Sequence, residues 1–334
     1  MVDSGGETPG PIPNPEAKPT RADGTALGRV WESKLPPTKN FINIRGALRG
    51  IDSFKGAAFY CSGFRGDLVE MTVVSGLLLF AMGIMAGIIN SAVGSGSLLT
   101  LPVLLALGVP PGTAVRTNTI GMMFASFGSA WGFRKETKRE LPYLGPLIAA
   151  TIVGAAAGSL LLLSTPAAAL DWVIPILIVV ALILVVFQQR FVQAFSKSQV
   201  VSEEDSDGIV GEPYKRPGLV GAMGLASMYG GFFTAAQGVL YMAIMGVGTG
   251  HPFKDVNPVK NFLSMFVNTV AALVYLIAFL FFGAEVLWVG VVILAAGGLI
   301  GGLVGSRIAK RLSNKFLKGL IVVVALYALV RQFV

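Results

Sequence analysis

The chain has 334 residues, of which 54% are hydrophobic and only 13% are charged, and its mean hydropathy is +0.71. A soluble globular domain needs a far more charged surface, so this composition excludes that class and predicts a membrane protein. In a membrane chain, Lys and Arg in cytoplasmic loops explain the formal net charge of +8. We therefore expect the lipid bilayer as a partner, and no nucleic acid.

The single cysteine and the single histidine restrict the chemistry of the chain. Cys61 alone cannot form a disulfide within the chain or a cysteine-based metal site, and His251 alone argues against a histidine-ligated metal. No Ser–His, Asp–Asp or HExxH arrangement is present either. We therefore expect no metal, no other cofactor, no catalytic residue and no enzymatic activity.

Residues 1–70 differ in composition from everything that follows. Their Pro- and Gly-rich stretches predict a disordered tail, without the apolar core of a secretory signal peptide. Within this tail, residues 41–60 place apolar side chains at helical spacing, which is typical of a helix lying on the membrane surface. Because Met71 stands where the apolar part begins, a native protein that starts there is an open alternative.

From residue 71 onward, long apolar stretches follow one another with short gaps. A helix needs roughly 20 apolar residues to cross the hydrocarbon core of a membrane. The candidate spans are 71–93, 115–133, 143–164, 172–192, 257–282, 286–306 and 319–333. Shorter apolar pieces lie at 97–107, 218–229 and 232–246. The pattern predicts an all-α, multi-pass integral protein of the cell membrane.

The membrane part contains an internal repeat. With a shift of 142 residues, glycines and a proline of the first half fall on the same residue types in the second half, and Asn118 meets Asn261 one residue later. The matched positions are Gly76, Gly96, Gly108 and Pro110 with Gly218, Gly238, Gly250 and Pro252. The sequence therefore predicts a first repeat over 71–192, a linker over 193–217 and a second repeat over 218–334.

Loop charge predicts that the two repeats have opposite orientations. In the first half, the loop 134–140 is basic and the loop 164–171 has no basic residue. In the second half, the equivalent loop 281–285 has no basic residue and the loop 307–318 is basic. Because short basic loops stay cytoplasmic, equivalent loops lie on opposite sides of the membrane, and the linker is cytoplasmic.

Inverted repeats require an odd number of crossings in each half. Each half offers three clear spans after its first, interrupted segment, so that segment must return to the side from which it started. We therefore predict hairpins over 71–107 and 218–248, with tips at Gly94–Ser97 and near Gln237–Gly238. The predicted fold is two inverted-topology repeats, each a broken helix or re-entrant hairpin followed by three transmembrane helices.

The interrupted segments are the candidate binding sites. A break inside a membrane leaves backbone groups unpaired, and it is tolerated where protein or a water-filled cavity surrounds it. The free N–H groups at the start of a half-helix favour an anion, and Ser95 and Ser97 add hydroxyl donors. The alternative reading of small residues is close helix packing, which we expect for the Gly83/Gly87, Gly154/Gly158 and Gly301/Gly305 pairs.

The distribution of charge also favours an anion. Every Asp and Glu after residue 70 falls in a predicted loop, linker or span end, so no carboxylate is placed to hold a cation in the membrane. Arg116 and Lys260 begin the helices that follow the two hairpins. Either cation could face the site, and the alternative for each is a side chain that extends to the interface.

At these residues the chain resembles the sulfite exporter TauE/SafE family of anion permeases. The resemblance covers about residues 71–332 and rests on IINSAVGSGSLLTLPVLLALGVPPGTAVRTN (88–118), YGGFF (229–233) and KNF (260–262). It implies a secondary carrier of sulfite, sulfonates or related organosulfur acids. The chain departs from the family pattern at Asn90, where an acidic residue is common, and at Ser95 and Ser97, which interrupt a glycine run.

We therefore predict a small anionic substrate held between the hairpin tips. The candidate binding residues are Asn90, Ser91, Gly94, Ser95, Gly96, Ser97, Thr117, Asn118, Tyr229, Gly230, Gly231, Gln237, Gly238, Lys260 and Asn261. An anion channel and a structural or sensory membrane protein are the alternatives. The sequence leaves open the identity of the anion, the direction of transport, the coupling ion and the oligomeric state.

Overall fold

The computed structural model describes residues 58–61, 69–196, 212–251 and 253–308. The predicted span 319–333, most of the linker and the greater part of the N-terminal tail lie outside these residues. Within the described residues the chain is almost entirely helical, which confirms the all-α membrane fold.

A short two-stranded ribbon precedes the helices. Strand β1 (Ala58–Cys61) pairs antiparallel with β2 (Val69–Thr72), so that Ala58 lies opposite Thr72 and Cys61 opposite Val69. Residues 58–60 fall in the tail that we expected to be disordered or interfacial helix, and that expectation is wrong for these residues. The strand contains the adjacent aromatic residues Phe59 and Tyr60, a residue type that is enriched in strands.

The helices of the first half begin and end at identifiable signals. Pro110 and Pro111 open α3, since proline suits the first turn of a helix, and Gly108 takes a left-handed φ of 83° just after α2. The helices are α1 (Val73–Ala92), α2 (Ser97–Ala106), α3 (Pro111–Gly132), α4 (Arg134–Glu140), α5 (Gly145–Ser164) and α6 (Ala167–Ser196).

The second half repeats the order of the longer helices as far as the described residues extend, but it has no counterpart of α4 between its third and fourth helices. A short 3₁₀ turn at Glu212–Lys215 leads into it, and glycines with left-handed φ values, Gly250 and Gly283, end its second and third helices. The helices are α7 (Pro217–Phe233), α8 (Gln237–Thr249), α9 (Phe253–Phe282) and α10 (Trp288–Ile308).

Five described helices are long and apolar enough to cross a membrane. They are Val73–Ala92, Gly145–Ser164, Ala167–Phe187, Lys254–Phe282 and Trp288–Ile308. Helix α3, which covers the predicted span 115–133 except for its last residue, has sufficient length but is less apolar. Its polar side chains, among them Thr119 and Ser126, are buried between α1, α9 and α10, so protein rather than lipid surrounds them.

The two halves pack reciprocally. Helices α1 and α3 of the first half pack against α10 of the second, whereas α7 and α9 of the second half pack against α5 of the first. In the sequence repeat, α1 corresponds to α7, α3 to α9 and α5 to α10. The contact of α1 with α10 is therefore equivalent to that of α7 with α5, and the contact of α3 with α10 to that of α9 with α5. The opposite orientation of the halves in the membrane stays a prediction.

Glycines make these interfaces close. A Cβ atom on Gly87 would overlap the backbone of Gly298 and Gly301, and one on Gly154 would overlap the backbone of Gly224. Because side chains at these positions would force the helices apart, the packing role predicted for the spaced glycine pairs is confirmed for Gly87 and Gly154.

Candidate functional site

The two broken helices meet at their breaks. We call residues 93–96, between α1 and α2, the first tip, and residues 234–236, between α7 and α8, the second tip. The backbone N–H of Gly238, in the first turn of α8, donates a 3.0 Å hydrogen bond to the carbonyl of Gly94. A Cβ on either glycine would overlap the backbone of the other, and Gly94 has a φ of 82°.

The second break is shorter than the sequence suggested. We predicted site residues from Tyr229 to Gly238 and a tip near Gln237–Gly238, but Tyr229, Gly230 and Gly231 lie within α7, and only residues 234–236 leave the helical path. Thr234 and Ala236 make the turn with φ values of 64° and 59°, which the sequence pattern did not indicate because neither is glycine.

Side chains from α3 and α7 hold the second tip. The hydroxyls of Thr119 and Thr234 lie 2.9 Å apart, and the Tyr229 hydroxyl donates a 3.0 Å bond to the carbonyl of Ala235. Tyr229 therefore satisfies a carbonyl that the broken helix leaves free.

The start of α9 holds the end of α1. Lys260 Nζ donates to the carbonyl of Asn90 at 2.9 Å, while Asn261 Nδ2 and Asn257 Nδ2 donate to the carbonyl of Ser91 at 3.1 and 3.2 Å. The last carbonyls of a helix carry negative partial charge, so an amine and amide donors stabilise this position. Lys260 is 0% exposed, so the alternative in which it extends to the interface is wrong.

The first tip and the first residue of α2 present backbone donors that have no partner among the described residues. The N–H groups of Ser95, Gly96 and Ser97 make no hydrogen bond within the described part of the chain, although all three residues are buried. The Ser95 hydroxyl is 0% exposed and also lacks a partner there. These donors stand at the N-terminus of α2, where the helix dipole favours an anion.

Gln237 contributes a further buried polar group to the region. It is 2% exposed, and its amide Nε2 has no hydrogen-bond partner among the residues described. The glycine at position 230 makes room for it, since a Cβ there would lie 2.5 Å from Gln237 Cδ.

Several predicted site residues instead join helices to one another. The Ser91 hydroxyl lies 2.5 Å from that of Ser129 and 3.1 Å from the carbonyl of Gly302, so it links α1, α3 and α10. Thr117 Oγ1 accepts a 3.0 Å bond from the N–H of Leu287 before α10. Both hydroxyls therefore have hydrogen-bond partners in neighbouring elements outside the tips.

The remaining predicted residues have mixed surroundings. Gly231 packs against the backbone of Ala155, and its carbonyl accepts a 2.7 Å bond from the Tyr275 hydroxyl. Gly96 packs closely against α1, where a Cβ would overlap the carbonyl of Ala86. Asn118 Oδ1 accepts a 2.5 Å bond from Thr100, while its Nδ2 has no partner within the described part of the chain.

Sequence reasoning missed the polar face of α9. Asn257, Asn261, Ser264 and Asn268 follow one another at intervals of four, three and four residues, which places them on one side of the helix. Asn268 Nδ2 donates to Ser126 Oγ at 2.6 Å. This spacing was visible in the sequence. The left-handed turn at Thr234 and Ala236, in contrast, had no signal in the sequence.

The charges are distributed unevenly. The described residues contain no ion pair to the buried Lys260 and no group of acidic, histidine and cysteine side chains that could hold a metal. Arg116 lies apart from the tips, because its Nε donates to the carbonyl of Glu285 at 2.8 Å in the loop before α10. Lys260 is therefore the cation that the described helices bring to the tips.

A buried carboxyl lies outside the spans. Glu140, at the end of α4, is 6% exposed, and burial raises the pKa of its carboxyl above the ordinary value. The hydroxyl of Tyr214 and the charge of Arg139 oppose this rise, and the charge of Asp255 adds to it. Burial likewise raises the pKa of the Tyr214 hydroxyl.

The sequence matches known membrane transporters over most of its length. It is 27% identical over 259 residues to the probable membrane transporter protein YfcA of Escherichia coli strain K12, a match that covers 77% of this chain and 90% of that protein. It is also 27% identical over 253 residues to the probable membrane transporter protein ORF9 of Sinorhizobium sp, covering 76% and 90%. No solved structure matches the chain.

The family assignment follows from a match to a family profile. The profile described as sulfite exporter TauE/SafE covers residues 79–331, which include α1 from residue 79 onward, the whole of α2, α7 and α8, and every residue of the two tips. The five membrane-length helices agree with a multi-pass protein of the cell membrane. The chain therefore belongs to the sulfite exporter TauE/SafE family and is a membrane transporter of that family.

Proposed function

We propose that the protein is a secondary carrier of small sulfur-containing anions, such as sulfite, sulfonates or related organosulfur acids. The anion is held where the two tips meet, beside Lys260. The observation that carries this proposal is a fully buried amine at the contact between two broken helices, with no carboxylate partner among the described residues. The sulfur chemistry comes from the family and not from the geometry.

The environment of Lys260 favours a negative partner. A charge buried in a membrane protein is costly unless it is paired, and the ammonium form is stabilised by an anion nearby. The amine has three donor positions, and one of them is directed at the carbonyl of Asn90. The remaining positions are available to oxygens of a bound sulfite or sulfonate.

The first tip supplies donors of the kind that oxyanions need. The N–H groups of Ser95, Gly96 and Ser97 and the hydroxyl of Ser95 are buried and without partners among the described residues. Three adjacent oxygens of a sulfonate suit a cluster of converging donors, in the way that phosphate suits a helix N-terminus. The Gln237 amide, at the other tip, adds a polar group that can contact the remainder of the molecule.

The reciprocal packing suggests how the site is exposed alternately to each side. The tips belong to different halves and touch through Gly94 and Gly238, so movement of one half against the other changes the site directly. Carriers built from inverted repeats use such a movement around a site near the midplane. In this proposal, the α1–α10 and α5–α7 interfaces exchange roles as the halves rock.

Transport in proteoliposomes tests the carrier proposal. Vesicles loaded with unlabelled sulfite should accumulate labelled sulfite transiently above its outside concentration, because a carrier exchanges one bound anion for another. A channel would show flux without this counterflow. Absence of any sulfite or sulfonate flux, from protein shown to be folded, would contradict the proposed function and favour a structural or sensory role.

A further inference from the structure

Asn261 places a buried acceptor beside the proposed anion site. The residue is 1% exposed, and its Oδ1 has no hydrogen-bond partner among the described residues. Buried acceptors without a donor are destabilising and uncommon in native proteins. A donor on a bound molecule would satisfy this atom.

The orientation of the Asn261 amide is fixed by its neighbours. The nitrogen lies 3.1 Å from the carbonyl oxygen of Ser91, 3.0 Å from that of Asn257 and 3.2 Å from Asn257 Oδ1. The opposite orientation would direct the amide oxygen at these oxygens, two of which are carbonyl groups that cannot donate. The oxygen is therefore the free end of this side chain.

The acceptor and the amine lie at the same end of α1. Lys260 and Asn261 are adjacent in α9, and they bond to the adjacent carbonyls of Asn90 and Ser91. The stem of Lys260 also passes close to the first tip, since a Cβ on Gly94 would lie 3.3 Å from Lys260 Cδ. Because both side chains turn toward the same end of α1, we expect one small molecule there to reach both groups.

The equivalent residue in the first repeat does not offer the same acceptor. Asn118 Oδ1 already accepts a bond from Thr100, and Nδ2 is the amide atom for which the described residues offer no partner. A free amide oxygen is therefore provided by Asn261 and not by its repeat counterpart. This asymmetry allows the site to distinguish the two ends of an unsymmetrical substrate.

We infer that the preferred substrate is a small sulfonate that also carries a hydroxyl group. The sulfonate oxygens contact Lys260 and the donors of the first tip, and the hydroxyl donates to Asn261 Oδ1. A hydroxyl suits this position better than an ammonium group, which the neighbouring amine of Lys260 would repel when protonated. A carboxylate has no proton to donate at neutral pH. This inference rests on the proposed function and narrows its substrate class.

A matched pair of ligands tests the inference. Ethanesulfonate and 2-hydroxyethanesulfonate differ by one hydroxyl, so their dissociation constants, measured by calorimetry on the full-length protein in detergent, isolate its contribution. We expect the hydroxylated ligand to bind about tenfold more tightly, because a site that accepts a hydroxyl proton discriminates against the analogue lacking it. The aminated analogue, 2-aminoethanesulfonate, should bind more weakly than the hydroxylated one.

Two variants assign the preference to a residue. In Asn261→Ala the two sulfonates should bind with affinities within about twofold of each other. Asn268 Oδ1 is likewise buried without a partner among the described residues, but it lies two turns further along α9, so Asn268→Ala should keep the wild-type preference. A preference that is lost in Asn268→Ala and kept in Asn261→Ala would overturn the assignment. The wild-type ligand comparison decides the inference even if Asn261→Ala does not fold.

The possible failures are distinguishable. Equal affinity of the wild-type protein for both sulfonates would overturn the inference and leave the proposed function standing. Failure of folded wild-type protein to bind sulfite or either sulfonate would overturn the proposed function itself.

Discussion

The N–H of Gly238 donates a 3.0 Å hydrogen bond to the carbonyl of Gly94, so the start of one half-helix is joined to the break in another. The two residues belong to different repeats, and they approach so closely that neither position has room for a Cβ atom. The bond places the unpartnered donors of the first tip and the buried Lys260 within one small region.

A methyl group at this contact should separate the tips. We expect Gly94→Ala to lower stability by about 2–4 kcal/mol, because it adds both a close contact and a left-handed alanine. Gly108→Ala is the matched control, since Gly108 has nearly the same φ but no atom of the described residues lies within 4 Å of its Cβ position. Unfolding midpoints in detergent measure both changes. Equal losses in the two variants would show that the contact with Gly238 contributes nothing.

The second tip should tolerate glycine better than a helix does. Ala236 has a φ of 59°, so Ala236→Gly removes backbone strain from the folded protein. This gain in stability offsets the loss that comes from the greater freedom of glycine in the unfolded chain. We expect the unfolding midpoint to stay the same or rise. Ala226→Gly, at a buried position inside α7, should lower stability by about 1 kcal/mol. A larger loss from Ala236→Gly than from Ala226→Gly would contradict the strain assigned to this turn.

Glu140 should make stability depend on pH. Burial raises the pKa of this carboxyl in the folded protein, so the unfolded chain releases the proton first as pH rises. Stability should therefore fall as pH rises from the ordinary glutamate value of about 4.5 through the raised value in the folded state. Glu140→Gln should flatten this dependence, as measured by unfolding midpoints across that range.

Glu136→Gln provides the control for this titration, because Glu136 lies on the same helix and is exposed. Its unfolding midpoints should follow the wild-type dependence on pH. If Glu140→Gln and the wild-type protein show the same slope, burial of the Glu140 carboxyl does not affect folding through its ionisation.

The amine of Lys260 should reduce stability while it enables binding. Lys260→Met keeps an apolar stem and removes a buried group that ionises, so we expect an unfolding midpoint at or above that of the wild-type protein without ligand. The midpoint of the wild-type protein should rise with sulfite, and that of the variant should not. A large loss of stability in ligand-free Lys260→Met would instead indicate that the bond to Asn90 dominates.

The sequence predicted the helical class, the family and the two interrupted helices because these depend on apolar length and on glycine-rich breaks. It placed Lys260 and Asn261 among the site residues, but it could not show that both bond to the end of α1, because that contact joins distant parts of the chain. Thr234 and Ala236 were missed because tertiary contacts force a left-handed turn on residues that do not favour it. Nothing in the sequence around Ser91 and Thr117 distinguishes a hydroxyl that joins helices from one that contacts a ligand, so their roles became visible only in the structure.

The most direct test of the central claim is the dissociation constant of sulfite for wild-type protein, Lys260→Met and Lys254→Met. Lys254 is exposed near the start of the same helix, so its variant removes the same charge away from the tips. We expect Lys260→Met to weaken binding at least tenfold, because a buried charge pair is lost, and Lys254→Met to leave binding unchanged. Equal affinity of Lys260→Met and the wild-type protein would contradict an anion site beside Lys260.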